Sequence, residues 1–219
     1  MMRDLIAAFG AAAREQMTAA GWRKRSGDSY TFDFGDGFLA TLGLNRAVKH
    51  HPLRINPVVG VRHDALQRLI AQAHRGPHGP ADTTLSRPIG YLTPANTFLQ
   101  LEVATVQDAT PTAQRLRDLV EHYGLPFARQ HADVESLETA LRGTGLVANP
   151  DWGRFLLTAL LFQQGRTEEA RAYAADELAK GTATGQTWVM ADYRPFVDRL
   201  ITHYAADYTS PPGYLDRSH

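Results

Sequence analysis

Between residues 30 and 44 the side chains alternate so strictly that the chain has little choice of local structure. Tyr30, Phe32 and Phe34 alternate with Thr31 and Asp33, and Phe38, Ala40, Leu42 and Leu44 resume the pattern after Gly35-Asp36-Gly37. A period of two places every apolar side chain of such a segment on one face of a strand. The Gly-containing break between the two runs is a tight turn, so the runs pair as a hairpin. Gly27-Asp28 marks a second turn upstream, before which residues 22–25 can pair as a short basic strand. The product is an antiparallel meander with one apolar face, and that face needs a cover.

Residues 2–20 provide one. Leu5, Ile6, Phe9, Ala13 and Met17 fall on a single helical stripe, with Arg3, Arg14, Glu15 and Gln16 off it. Gly21 is placed to end that helix in the left-handed conformation. The helix is expected to lie across the meander, with Leu5, Phe9 and Met17 on Phe32, Phe34, Leu42 and Ile55. Residues 53–61 read as a fourth strand, in which Pro57 cannot donate to a ladder and so points to an edge position or a bulge. Asp64 with Gln67 resembles a capping box opening a short helix whose buried stripe is Leu66, Leu69, Ile70 and Ala73. Residues 76–88 form a Gly/Pro-rich loop. Residues 89–92 and 98–103 complete a sheet of about six strands.

From residue 110 onward the pattern is helical, beginning with Thr110 as cap and Pro111 at the first helical position. Residues 133–142 make a shorter helix, and Phe155, Leu156, Ala159, Leu160 and Phe162 make one apolar on more than one side. The corner at residues 165–170 resembles that of a tetratricopeptide unit, but no similar segment recurs at the required spacing, so an ordinary helical hairpin is expected. The fold class is therefore α+β: an antiparallel sheet region over residues 1–108 under an N-terminal helix, then a helical region over residues 109–219, the two forming one unit.

Composition removes several functional classes. Lys plus Arg and Asp plus Glu number 23 each, so no global field draws the chain to nucleic acid or to an anionic membrane. Cysteine is absent, which excludes disulfides, thiolate metal sites and a Cys nucleophile together. Arg3 and Asp4 are followed by an amphipathic pattern, not an apolar block, so no cleaved export signal is expected and the cytoplasm is the expected compartment.

Few residue constellations carry chemistry. Gly27-Asp28-Ser29 with Asp216 and His219 resembles the nucleophile and Asp-x-x-His blocks of the Gly-Asp-Ser-type esterases. Such a serine follows a buried parallel strand and leads into a helix, whereas here basic residues precede it and a β-patterned segment follows. A turn is expected there, and no triad. His50, His51, His78 and Asp82 lie in two loops and define the enzyme alternative, a hydrolase with a loop-built site. Their spacing matches no metal motif, so no metal and no cofactor are expected.

Residues 19–25, Ala-Ala-Gly-Trp-Arg-Lys-Arg, and the later strand at residues 53–61 resemble a group of small bacterial proteins of unassigned function. That group is related to the immunity proteins of polymorphic toxin systems. The resemblance implies a protein that binds and neutralises another protein without catalysis. The leading expectation is therefore a non-catalytic protein-binding module of immunity, antitoxin-like or adaptor type, with another protein as partner. His50, His51, Arg87 and Tyr91 are its candidate contact residues.

Overall fold

The hairpin forms where the alternation places it. In the computed structural model, which describes residues 2–49, 51–74, 83–143, 146 and 150–208, Ser29–Gly35 (β2) pairs antiparallel with Phe38–Gly43 (β3). Tyr30 stands opposite Leu42 and Phe32 opposite Ala40. Arg23–Lys24 (β1) pairs on the outer side of β2, as its basic composition and the turn at residues 26–28 require. The turn at residues 35–37 is tight because Gly35, Asp36 and Gly37 all take positive φ, at 88°, 49° and 79°.

The fourth strand differs from expectation, and Pro57 is the reason. Asn56 and Pro57 divide the segment into Leu53–Ile55 and Val58–His63, which belong to different sheets. The same break occurs on the other strand of this long hairpin, where Arg46–Ala47 (β4) leaves the line of β3 after Asn45, which has φ 39°. Asn56 N–H donates to the Asn45 carbonyl at 3.3 Å, so both strands turn the corner together. Val58–His63 (β6) then lies inside the five-stranded sheet β1-β2-β3-β6-β7, where β7 is Leu85–Pro88. Leu53–Ile55 (β5) pairs with β4 and with Leu101–Val103 (β8) in a second, three-stranded sheet. The expected edge position is thus wrong for β6. Pro57 sits at the corner, where its missing N–H costs no ladder bond, and its carbonyl accepts from Ile89 N–H at 2.9 Å.

Two further expectations are corrected. Residues 89–92 form a 3₁₀ turn, and the strand preceding them is β7, cut from the end of the Gly/Pro-rich segment. Gln67 does not complete a capping box on the helix Asp64–His74 (α2). Its side-chain amide donates instead to Thr84 Oγ1 at 3.1 Å in a buried bond, and the Asp64 carboxylate is held by Arg62 at 2.6 Å.

The helix Met2–Ala19 (α1) buries Leu5, Phe9, Ala12, Ala13 and Met17. These join Tyr30, Leu42, Ile55 and Val59 in one core, against which Phe32 and Phe34 pack. The cover is shared. Ala109–Leu119 (α3) lies along α1 and contributes Ala109, Ala113 and Leu116, and the chain continues through a π segment at Val120–Gly124 into Leu125–Gln130 (α4). Thr110 is not the cap: α3 starts on Asp108, which makes no side-chain cap bond to it, and the capping box of Thr105 and Asp108 belongs to the 3₁₀ turn Val106–Asp108 just before. Val134–Arg142 (α5) starts on Asp133, whose carboxylate accepts from Ser136 N–H at 2.8 Å.

The chain divides into two compact units, Met1–Gln67 with Gly79–Pro150 and Arg68–His78 with Asp151–His219. Helices α3 to α5 belong to the unit that holds the sheets. The second unit comprises the end of α2 with Pro150–Gln163 (α6), Thr167–Ala183 (α7) and Arg194–Tyr208 (α8). Phe155 is its centre, with the rings of Trp152, Tyr193 and Phe196 at 5.0, 5.0 and 4.9 Å. That encirclement explains why α6 is apolar on more than one side. The corner at Gly165, with φ 73°, makes the expected helical hairpin. Among the described residues no helix is long and apolar enough to cross a membrane.

Candidate functional site

Segment 87–99 gathers the features that an exposed recognition site needs. Its geometry begins at Gly90. A Cβ there would lie 2.3 Å from the Thr97 carbonyl oxygen and 2.6 Å from the Leu99 Cβ, so the backbone passes where only hydrogen fits. The Gly90 carbonyl accepts from Thr97 N–H at 3.3 Å and from the Thr93 hydroxyl at 2.8 Å. Asn96 N–H donates to the Thr93 carbonyl, with Asn96 at φ 44°. At the base, Ile89 is fully buried and its N–H is anchored to Pro57. The turn is therefore closed on itself and tied to the β5–β6 corner.

Tyr91 and Phe98 sit on either side of the Gly90–Thr97 closure. Tyr91 is 39% exposed and Phe98 52% exposed, on a chain whose other phenylalanines are buried or half-buried. The Arg87 guanidinium lies 6.0 Å from the centre of the Tyr91 ring, at the outer range of a cation–π contact. A hydrogen-bonded turn flanked by exposed Tyr91 and Phe98, with Arg87 against the tyrosine, carries residue types that are enriched in binding hot spots.

The structure distributes the four expected contact residues unevenly. Arg87, at the end of β7, and Tyr91, in the following turn, come together. His51 does not join them. Its Nε2–H donates to the Ala104 carbonyl at 2.8 Å. Leu53 pairs with Val103 and Ile55 with Leu101, so His51 and Phe98 flank opposite ends of the β5–β8 ladder. His50 lies outside the described residues, as do His78 and Asp82 of the enzyme alternative and Asp216 and His219 of the esterase-like motif. Ser29 opens β2, and its hydroxyl donates to the Ser26 carbonyl at 2.8 Å, the turn geometry expected of it.

Phe98 is the exposed residue of this segment that sequence reasoning did not single out. It stood at the head of an expected strand over residues 98–103, of which only Leu101–Val103 pairs. The available signal was the sequence Thr-Pro-Ala-Asn at residues 93–96, whose Pro and Asn favour a turn over a strand connection. Neither a protein-family model, nor a curated protein, nor a solved structure matches the chain.

Proposed function

We propose that this chain is a non-catalytic protein-binding module of immunity or adaptor type, acting in the cytoplasm, with the Arg87–Tyr91–Phe98 turn as its primary contact. The observation that supports the reading is the pairing of exposure with rigidity. Tyr91 and Phe98 are held open to solvent by a turn that Gly90 and three hydrogen bonds close. A preorganised aromatic anchor loses little conformational entropy when a partner covers it. Tyr and Arg are also the residue types whose truncation most often costs an interface more than about 2 kcal/mol. The near-neutral charge balance means that binding depends on these anchored contacts more than on long-range attraction.

The test uses the full chain with a photo-reactive phenylalanine analogue at position 98. One protein should be crosslinked reproducibly from the source-cell lysate, and its purified form should bind the parent. The double variant R87A/Y91A, with parent-like melting, should bind that protein at least about 30-fold more weakly, the equivalent of 2 kcal/mol. Equal affinity in the double variant, or crosslinking no different from an exposed control position, overturns the reading.

A further inference from the structure

The second surface of interest is the outer face of the five-stranded sheet, on the side away from the α1–α3 core. Thr31 stands opposite Thr41, and Leu39 opposite Arg62, so these four side chains share that face. Arg25 extends β1 past its last paired residue, with its N–H on the Ser29 carbonyl at 2.9 Å. Together with Asp64 they line a pocket of about 330 Å³. None of the Arg87–Tyr91–Phe98 turn contributes to it.

Hydrogen-bonding capacity in this pocket is lopsided. Arg25 Nε donates to Thr31 Oγ1 at 3.0 Å, which fixes the guanidinium plane across β1 and β2. Among the described residues no carboxylate forms an ion pair with Arg25, so its two terminal amino groups carry an uncompensated charge. The Thr31 oxygen already accepts that bond, which leaves its proton for an outside acceptor. Thr41 and Thr83 share one hydrogen bond at 3.2 Å between two hydroxyls, and with Thr83 as its donor the Thr41 proton is left for an outside acceptor. The one carboxylate in the lining, Asp64, is engaged by Arg62 Nε at 2.6 Å, and the Arg62 side chain is only 11% exposed. Two guanidinium groups and one carboxylate leave the pocket with a single positive charge and free donors, against the apolar surfaces of Leu39 and Tyr30.

A polar outer face is ordinary for an antiparallel sheet. A concave one with a guanidinium that has no carboxylate partner among the described residues, beside the Thr31 hydroxyl and, with Thr83 as donor to it, the Thr41 hydroxyl, is built for an acceptor. We infer that this pocket binds an oxyanion, a carboxylate or phosphate group, between Arg25 and the Thr31 and Thr41 hydroxyls. Arg25 supplies the planar fork that such groups accept, and Thr31 holds the fork in place. This site goes beyond the protein-binding reading and does not depend on it.

NMR on the full-length protein tests the inference. The Arg Nε–Hε signals and backbone amides are followed while sodium phosphate or sodium succinate is added, with sodium chloride at matched ionic strength as reference. Saturable shifts centred on Arg25, Thr31 and Thr41 are expected with at least one of the two anions and not with chloride. Saturation by phosphate alone marks the ligand as a phosphate group, and by succinate alone as a carboxylate. R25Q should weaken the response at least about tenfold, since it removes the charge and the fork together. T31V should weaken it less, because the charge remains. Arg25 is exposed, so R25Q is expected to melt like the parent, and R25K, which keeps charge but loses the fork, should fall between R25Q and the parent. Linear, chloride-like shifts, or a parent-like response in R25Q, overturn the inference.

Discussion

Individual residues in this protein are decided by what surrounds them more than by their type. Gly90 is needed because two backbones meet there, and Gly181 because the Val189 side chain would lie 2.4 Å from a Cβ. His131 shows the same dependence in its chemistry. Burial holds its imidazole below the ordinary value of 6.5, outweighing the favourable influence of nearby Asp133. The folded state therefore binds fewer protons at this site than the unfolded state does. The stability that this represents is fully present above about pH 6.5 and is lost as the pH falls from there through the depressed folded value. Asp133 is held below its ordinary 3.8 by the Ser136 amide, so its own loss begins only at lower pH. Urea unfolding at about pH 7.5 and pH 5 should show the parent losing more stability than H131F. An equal loss in the two proteins would remove His131 from the account.

At the scale of elements, the organising fact is that α1 and α3 share the covering of the sheets. Phe9 is fully buried in that layer, in one core with Leu5, Met17, Leu42 and Ile55. Phe9→Ala should cost roughly 3–5 kcal/mol, the transfer free energy of the ring plus the cavity left behind. Denaturant unfolding measures it, and a parent-like midpoint would show that the layer does not depend on this side chain. The corner at Asn45 and Pro57 is the other decisive element-scale feature. It lets a single hairpin serve two sheets, and it brings Pro57 to the base of the turn that carries Tyr91. A continuous strand over residues 53–61 would have offered Ile89 no such anchor.

At the scale of the whole molecule there are two cores, and they are held differently. The first unit relies on a layer of helix on sheet, whereas the second packs helices around Phe155 and encloses a charged pair. Arg154 Nε lies 2.5 Å from Glu177 Oε2, Glu177 is 8% exposed, and Arg154 also stacks over the Trp188 ring at 5.2 Å. Removing the carboxylate takes the acceptor from Nε of a partly buried guanidinium, which among the described residues keeps Asp151 and Gln186 on its terminal nitrogen. E177A should therefore destabilise by about 1–3 kcal/mol, below the full cost of an uncompensated buried charge because Asp151 still pairs with Arg154. In a W22F background the remaining tryptophans, Trp152 and Trp188, both belong to the second unit, so their fluorescence reports its unfolding. An unchanged fluorescence midpoint in E177A would count the ion pair as energetically neutral.

Local pattern alone determined the hairpin over residues 30–44, the amphipathic α1, the basic β1, the turn at Ser29 and the all-helical second half. Each of these follows from a period or a turn residue within a few positions of itself, and such signals need no knowledge of distant chain. Tertiary structure decided the rest. Whether Pro57 marks an edge or a corner depended on β4 breaking at the same level, 11 residues earlier at Arg46. Residues 85–88 became a strand only because β6 offered a free ladder, in spite of the Gly/Pro-rich sequence before them. Tyr91 and Phe98 came to flank one closed turn because Gly90 admits the Thr97 carbonyl, a contact that no periodicity encodes. Arg87 and Tyr91 could be named from the sequence as surface residues beside a long loop. Their pairing, the separation of His51 from them, and the lack of a carboxylate partner for Arg25 among the described residues are matters of register and burial, which are fixed only when non-local strands choose their partners.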